Sequence, residues 1–342
     1  MTSVVKRSLS VEKAALVLLF LFLSACSPAP EEIIQFSGET MGTTYHVTLR
    51  NPGDLRAERL KQQLDYQLAH FNQIASTYIE DSEINKLNRA PIGEWQQLSE
   101  PLYAILTMAM EVSWLSGGAF DITVAPLVDL WGFGPVKREG RPNDDALADV
   151  MDRVGYTRLQ LDMLEPKLMK SAALSMDLSA IAKGYGVDAA AIWLTSLGVK
   201  DYLVEIGGEM RVAGKSPRGD AWRIGVENPA GGGPQLAISL GDIAVATSGD
   251  YRNYFEQDGV RYSHTIDPRT GRPITHTLAS VTVLDPSCAF ADAMATALSV
   301  MGTERALALA EAQDLPVYII EKGEEGFVSR YSSAFAPYLP KE

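Results

Sequence analysis

The sequence predicts an α+β fold: one continuous domain of mixed and antiparallel sheets with helices packed against them. Three observations lead there. Strand-like segments come in neighbouring pairs joined by glycine turns, at 202–214, 254–266 and 317–331. Long helical segments separate those pairs, where a regular βαβ chain would alternate single strands with single helices. No repeat, low-complexity tract or second linker interrupts the chain after residue 35.

Each element follows from its own pattern. TTYHVTL (43–49) alternates with the period of a strand. LRAERLKQQLDYQLAHFNQIA (55–75) sets Leu60, Leu64, Leu68 and Phe71 on one face of a helix. SEPLYAILTMAMEVSWLSGG (99–118) opens with Ser99 and Pro101 and stops at Gly117 and Gly118, a well-punctuated helix. A further helix is expected from Ser179 to a glycine stop at Gly198. YLVEIGGEMRVAG reads as two strands around Gly207 and Gly208, and YFEQDGVRYSHTI as a hairpin turning at Asp258 and Gly259. VYIIEKGEEGFVSRY is a closing hairpin. FADAMATALSVMG (290–302) is, by composition, the middle of a buried helix.

The length allows a substantial core, and 46% hydrophobic with 21% charged residues is ordinary for a globular protein. The formal charge is −13. Residues 1–25 hold Lys6, Arg7, Lys13 and Glu12, a net +2, so the rest stands near −15. Such a surface excludes nucleic acid as a partner, because that binding runs on Lys and Arg neutralising phosphates. A phosphate-bearing ligand would need a bound cation or a local positive pocket.

Lys6, Arg7 and Lys13 precede the apolar run AALVLLFLFL (14–23), which LSAC closes at Cys26. About ten apolar residues are too few to span a bilayer but suit a signal peptide. LSAC resembles a bacterial lipobox, which implies cleavage before Cys26 and a lipid on its sulfur. The expected layout is a lipoprotein signal peptide at 1–25, a lipidated tether at 26–36 and the catalytic domain at 37–342. The expected location is the periplasmic side of the inner membrane; Ser27, in place of an aspartate, leaves the outer membrane open. Cys288 is the other cysteine, read as a small buried hydrophobe, and no intramolecular disulfide is expected.

Several familiar motifs fail on inspection. GEMRVAGKS (208–216) has five residues between its glycines where a P-loop needs four, and SPRGD follows it instead of a helix. There is no G-x-G-x-x-G after a strand and no H-E-x-x-H, and ATSGD (246–250) is not a nucleophile elbow. Four scattered histidines make no zinc cluster. Asp292 and Thr296, four apart, share a helix face. A charge placed near a helix N-terminus is one reading of that pair. A hard cation such as Mg²⁺, held by one carboxylate and neutral oxygens, is the other.

Seven segments combine glycine, small residues and single polar groups: ETMGTTYHV (39–47), STYIEDSEINKLN (76–88), GGAFDITVAPLVDLWGFG (117–134), DLSAIAKGYGVD (177–188), EIGGEMRVAGKSP (205–217), SHTIDPRTGRPI (263–274) and ADAMATAL (291–298). In this order they resemble the ApbE family of flavin transferases, over essentially the whole chain after about residue 37. The resemblance implies an FAD:protein FMN transferase, which uses FAD and Mg²⁺ to move FMN onto a Thr or Ser hydroxyl and releases AMP. It implies flavin contacts at Met41, Tyr78, Ala119, Phe120, Asp121, Asp177, Lys183 and Ile266. It implies metal ligation by the side chains of Asp292 and Thr296 and the carbonyls of Ala180 and Ala295. Ala180 stands where the commoner pattern has glycine, and Ile122 where it has proline. Acceptors are implied among membrane redox complexes of the Nqr and Rnf type.

Tyr78 and Phe120 are candidates to pack on the isoalloxazine or the adenine, while physics alone reads each as an ordinary core aromatic. His264 is the candidate base for the acceptor hydroxyl; His46, His70 and His276 are assigned no chemistry. Arg269 and Arg272 read equally well as surface charges. Two rivals stand beside transfer: an FAD pyrophosphatase giving FMN and AMP, and a lipoprotein that captures flavin without chemistry.

Overall fold

A computed structural model describes residues 32–134, 140–249, 254–257 and 260–340. The expected signal peptide, Cys26 and most of the tether lie outside the described residues. The first strands are β1 (Ile33–Thr40), β2 (Thr43–Arg50), β3 (Gln96–Gln97), β4 (Leu159–Leu161) and β5 (Lys167–Lys170). Then come β6 (Asp201–Ile206), β7 (Glu209–Ala213), β8 (Trp222–Glu227), β9 (Pro234–Leu240) and β10 (Ile243–Gly249). The short β11 (Tyr254–Gln257), β12 (Val260–Ser263), β13 (Ile266–Asp267) and β14 (Arg272–Pro273) precede β15 (Leu278–Asp285), β16 (Val317–Gly323) and β17 (Gly326–Tyr331). The helices are α1 (Ala57–Ala75), α2 (Glu83–Arg89), α3 (Glu100–Leu115), α4 (Ala125–Leu130) and α5 (Asp144–Met151). They continue as α6 (Ala182–Ser196), α7 (Cys288–Met301) and α8 (Thr303–Ala312).

Eight strands form one antiparallel sheet in the order β1-β2-β6-β7-β10-β15-β16-β17. The expected hairpins are there: β6 turns into β7 through Gly207 and Gly208, so that Ile206 faces Glu209, and β16 pairs with β17. β11 and β12 pair as a separate ribbon. Strand β15 is buried at every position but its last, so it needs cover on both sides. One face receives α6 and α7, and α3 packs on α7. The other receives the β8–β9 hairpin, where Trp222, Ile224, Ile238 and Leu240 meet Val245, Leu284 and Phe335. No described helix is long and apolar enough to cross a membrane.

Helix α1 buries the predicted stripe of Leu60, Leu64, Leu68 and Phe71; each fully buried apolar side chain of this size contributes about 2 kcal/mol. Ser99 caps α3 through the Leu102 N–H, and Pro101 sits in its first turn. Two boundaries differ from expectation. The sheet begins at Ile33, so residues 33–36 belong to β1 and not to a tether, because their backbone pairs with β2 from Ile33 opposite Arg50 onward. The helix expected from Ser179 starts at Ala182. There the Asp177 carboxylate accepts the Ser179 N–H at 2.7 Å, and the Leu178 carbonyl accepts both Ile181 and Ala182 amides, which holds the chain in turns.

Candidate active site

The N-terminal turns of α6 and α7 meet, and glycine makes that possible. A Cβ on Gly184 would overlap the Cys288 carbonyl and lie 2.8 Å from Ala289 Cα. The two helices then cap one another. Asp188, on α6, accepts the Ala289 N–H at 3.0 Å and the Ser287 hydroxyl at 2.9 Å. Asp292, on α7, accepts the Gly184 N–H at 3.0 Å. Arg211 completes the first of these with 2.6 Å to Asp188.

Gly184 lies in the first turn of α6, where backbone N–H groups have no acceptor within the helix, and Asp292 supplies one. Ala180 precedes the helix, and no described residue donates a backbone hydrogen bond to its oxygen. Thr296 is the one position of 291–300 that is not buried. Its hydroxyl makes no hydrogen bond among the described residues, whereas those of Thr107 and Thr195 turn back to the carbonyl four residues before. Asp292 itself is 4% exposed. A carboxylate, an unused hydroxyl and an unused carbonyl are hard oxygen donors of the kind Mg²⁺ takes. Ala295 is buried inside α7. Among the described residues no group of three or more His, Cys, Asp and Glu is placed to hold a metal, so a cation here would rely on such mixed oxygens.

Lys183, in the first turn of α6, reaches the same acid: its Nζ stands 3.6 Å from Asp292 Oδ1 and 3.4 Å from Glu209 Oε1. Burial works against the ammonium, but the charges of Asp292 and Glu209 outweigh it and hold its pKa above the ordinary lysine range. Burial pushes the Glu209 carboxyl up against the pull of Lys183, with the Asp292 charge adding to the rise. Glu209 was not singled out in the sequence. Its signal was only an acid directly after a Gly-Gly turn, which chain-local reading assigns to solvent.

The β1–β2 turn approaches from the other side. Met41 takes a left-handed backbone at φ 51°, unusual for a side chain of its size, and the following Gly42 has φ 72°. A Cβ on Gly186 would lie 2.7 Å from the Met41 methyl, and one on Gly207 would lie 2.8 Å from Thr43. Met41 thus packs onto α6 two residues beyond Gly184.

A run of contacts leads from here to the remaining expected residues. Asp177 donates its N–H to the Ile122 carbonyl at 2.7 Å. Asp121 accepts the Thr123 N–H and hydroxyl and the Tyr156 N–H, at 2.8, 2.6 and 2.8 Å. Burial raises its carboxyl, and those three donors offset part of the rise. Tyr78 is 67% exposed, and burial of its phenol followed by the charges of Asp177 and Asp129 raises its pKa. Ala119 is buried beside Ile274 and Val300. Phe120, 4% exposed, points its ring into the main core. Of the two rings expected to face a flavin, only Tyr78 therefore offers one; Phe120 is an anchor of its loop.

The DPRTG turn closes the rim. Trp131 donates its indole N–H to the Gly271 carbonyl at 2.8 Å. Arg269 is clamped on Asp267 through Nε and Nη2, both at 2.8 Å, and its stem lies beside Gly118 and Tyr156. Arg272 pairs with exposed Asp144, as a surface charge would. Ile266 is buried against Trp131 and Leu127. His264 is half-buried, edge-on to Phe133 with ring centroids 6.3 Å apart.

Known proteins share this fold and are similar in sequence. The ApbE family profile matches residues 41–319. A Vibrio cholerae FAD:protein FMN transferase is 45% identical over 94% of this chain and 97% of its own. A Haemophilus influenzae FAD:protein FMN transferase is 42% identical over 93% of this chain and 95% of its own. The solved flavin transferase ApbE from Vibrio cholerae superposes with a TM-score of 0.85 at 44% identity, covering 91% of this chain and all of that one. The apo Pseudomonas stutzeri flavinyl transferase ApbE gives 0.85 at 39% identity, covering 91% and 98%. Fold and site together define an α+β enzyme of the flavin-transferase class. The chain belongs to the ApbE family.

Proposed function

We propose that this protein transfers FMN from FAD to a threonine or serine hydroxyl of an acceptor protein, releasing AMP, with Mg²⁺ required. The observation that carries the reading is the Gly184–Asp292 hydrogen bond. It fixes a buried carboxylate at the meeting of two helix N-termini, beside Lys183, itself close in sequence to the unused Ala180 carbonyl. Anionic phosphates suit helix N-termini, whose amides and dipoles favour negative charge.

Asp292, Thr296 and the carbonyls of Ala180 and Ala295 would hold the cation. When bound, Mg²⁺ neutralises the charge that builds on the departing phosphate. Lys183 supplies a second positive charge in an otherwise acidic protein. Tyr78 offers an exposed ring to the flavin, and Met41, held by its turn, lies against α6. His264 accepts the proton of the acceptor hydroxyl as its oxygen bonds to the FMN-side phosphorus. The bond from that phosphorus to the bridging oxygen breaks, and the oxygen leaves with AMP. Little covalent work falls to the protein; positioning and charge carry the reaction.

Incubation with FAD, Mg²⁺ and a candidate acceptor tests this. The expected result is a fluorescent acceptor band on a denaturing gel with one AMP per flavin attached. AMP without a band supports the pyrophosphatase instead, and neither product supports flavin capture alone. The proposal also sets the protein on the periplasmic face of the inner membrane, anchored through a lipid on Cys26, with acceptors among Nqr- and Rnf-type complexes. Labelled palmitate should enter the protein and be lost from Cys26→Ser.

A further inference from the structure

Lys183 stands between two carboxylates and is held closely by neither, at 3.4 Å from Glu209 and 3.6 Å from Asp292. Glu209 opens β7 directly after the Gly207–Gly208 turn and is 3% exposed. Its Oε2 has no hydrogen-bond partner among the described residues. A buried carboxylate oxygen left unpartnered is costly, so it calls for a physical reason. The stem of Lys183 is confined: it crosses Gly207 so closely that a Cβ there would lie 3.1 Å from Lys183 Cδ. The terminal torsions alone remain to carry the ammonium between the two acids.

We propose that Glu209 is a positioning residue that takes over Lys183 from Asp292 when a divalent cation binds. This rests on Asp292 being a ligand of that cation. Without the cation, Lys183 neutralises Asp292. A divalent ion on Asp292 repels an ammonium only a few ångströms away, and that repulsion is strong in a poorly solvated site. Glu209 offers the displaced ammonium two oxygens, one of them otherwise unused. The lysine then stays in the site, available to a phosphate, instead of leaving for solvent, and no buried charge is left alone. Residues that hold a ligand's neighbour in this way commonly alter metal affinity by about tenfold or more.

The test is binding of Mn²⁺, as a probe for Mg²⁺, to the full chain without flavin, followed by the loss of the free-ion electron paramagnetic signal. Glu209→Gln should weaken binding about tenfold, because the amide competes poorly for Lys183 and leaves it on Asp292. Lys183→Gln should strengthen binding, its competing charge gone. In the Lys183→Gln background, Glu209→Gln should then change affinity little. An unchanged affinity in Glu209→Gln overturns the proposal. So does the same loss in both backgrounds, which would mean that Glu209 acts on the ion without Lys183. Melting curves check folding; should Glu209→Gln not fold, Glu209→Asp keeps the charge on a shorter stem and should bind more weakly than the parent. If the parent fails to bind Mn²⁺, or Asp292→Asn binds it equally well, the metal reading itself fails and this inference falls with it.

Discussion

Asp188 and Asp292 perform the same task in opposite directions: each sits in the first two turns of its own helix and accepts a backbone N–H from the first turn of the other. The α6–α7 pair is thereby locked at the point where both helix dipoles are positive. Asp188 spends its second oxygen on Ser287 and its first on Arg211. Asp292 keeps Oδ1 facing only Lys183. That asymmetry separates the acid that holds the fold from the acid that is open to a ligand.

Asp292→Asn tests the division of labour. The amide oxygen still accepts the Gly184 N–H, so the fold should persist, with its melting temperature nearly unchanged. The charge is lost, and FMN transfer should fall by about a hundredfold or more. Transfer at the parent rate would remove Asp292 from the chemistry.

Gly184→Ala should be far more damaging to stability than its size suggests. The added methyl meets the Cys288 carbonyl, a backbone group that cannot step aside alone. Overpacking of this kind costs about 2 kcal/mol or more. Urea unfolding measures it, and a midpoint equal to the parent's would show that α6 and α7 are less tightly apposed.

Trp131→Phe removes the indole N–H that holds the Gly271 carbonyl. A loss of about 1 kcal/mol is expected. The larger effect should be on the DPRTG turn, raising KM for FAD or acceptor while leaving Mn²⁺ affinity as it was. Steady-state kinetics beside the metal titration separates the two.

Much of the fold was legible because it is written in local periods. The stripe of α1 and the caps of α3 need only neighbours along the chain. Strand β1 was not among the expected elements, and Gly38 weakens it when only local propensity is read. In the sheet Gly38 lies opposite Tyr45, whose ring fills the space a side chain would take. The Asp292–Thr296 spacing could be read as a shared face. What it served could not, since the bond that fixes Asp292 joins residues 108 apart. Glu209 acquires meaning only from a lysine on another element, and Phe120 turned inward because its loop is tied down by Ser116, which accepts its N–H.

Burial raises the Cys288 thiol well above its ordinary value, with the charges of Asp188, Asp292 and Glu209 adding to the effect. A group whose folded value is raised contributes stability that is fully present below its unfolded value, near 9, and lost as the pH rises beyond it. The stability advantage of the parent over Cys288→Ala, measured by urea unfolding, should therefore shrink between pH 7 and pH 10. A constant difference would mean that the thiol ionises freely in the folded state.

The placement of that thiol also decides what can react with it. With Cys288 sealed and its Sγ–H turned to the Met210 carbonyl, an oxidant cannot reach it once folding is done. The native thiol should therefore stay unreactive toward a thiol reagent until urea exposes it.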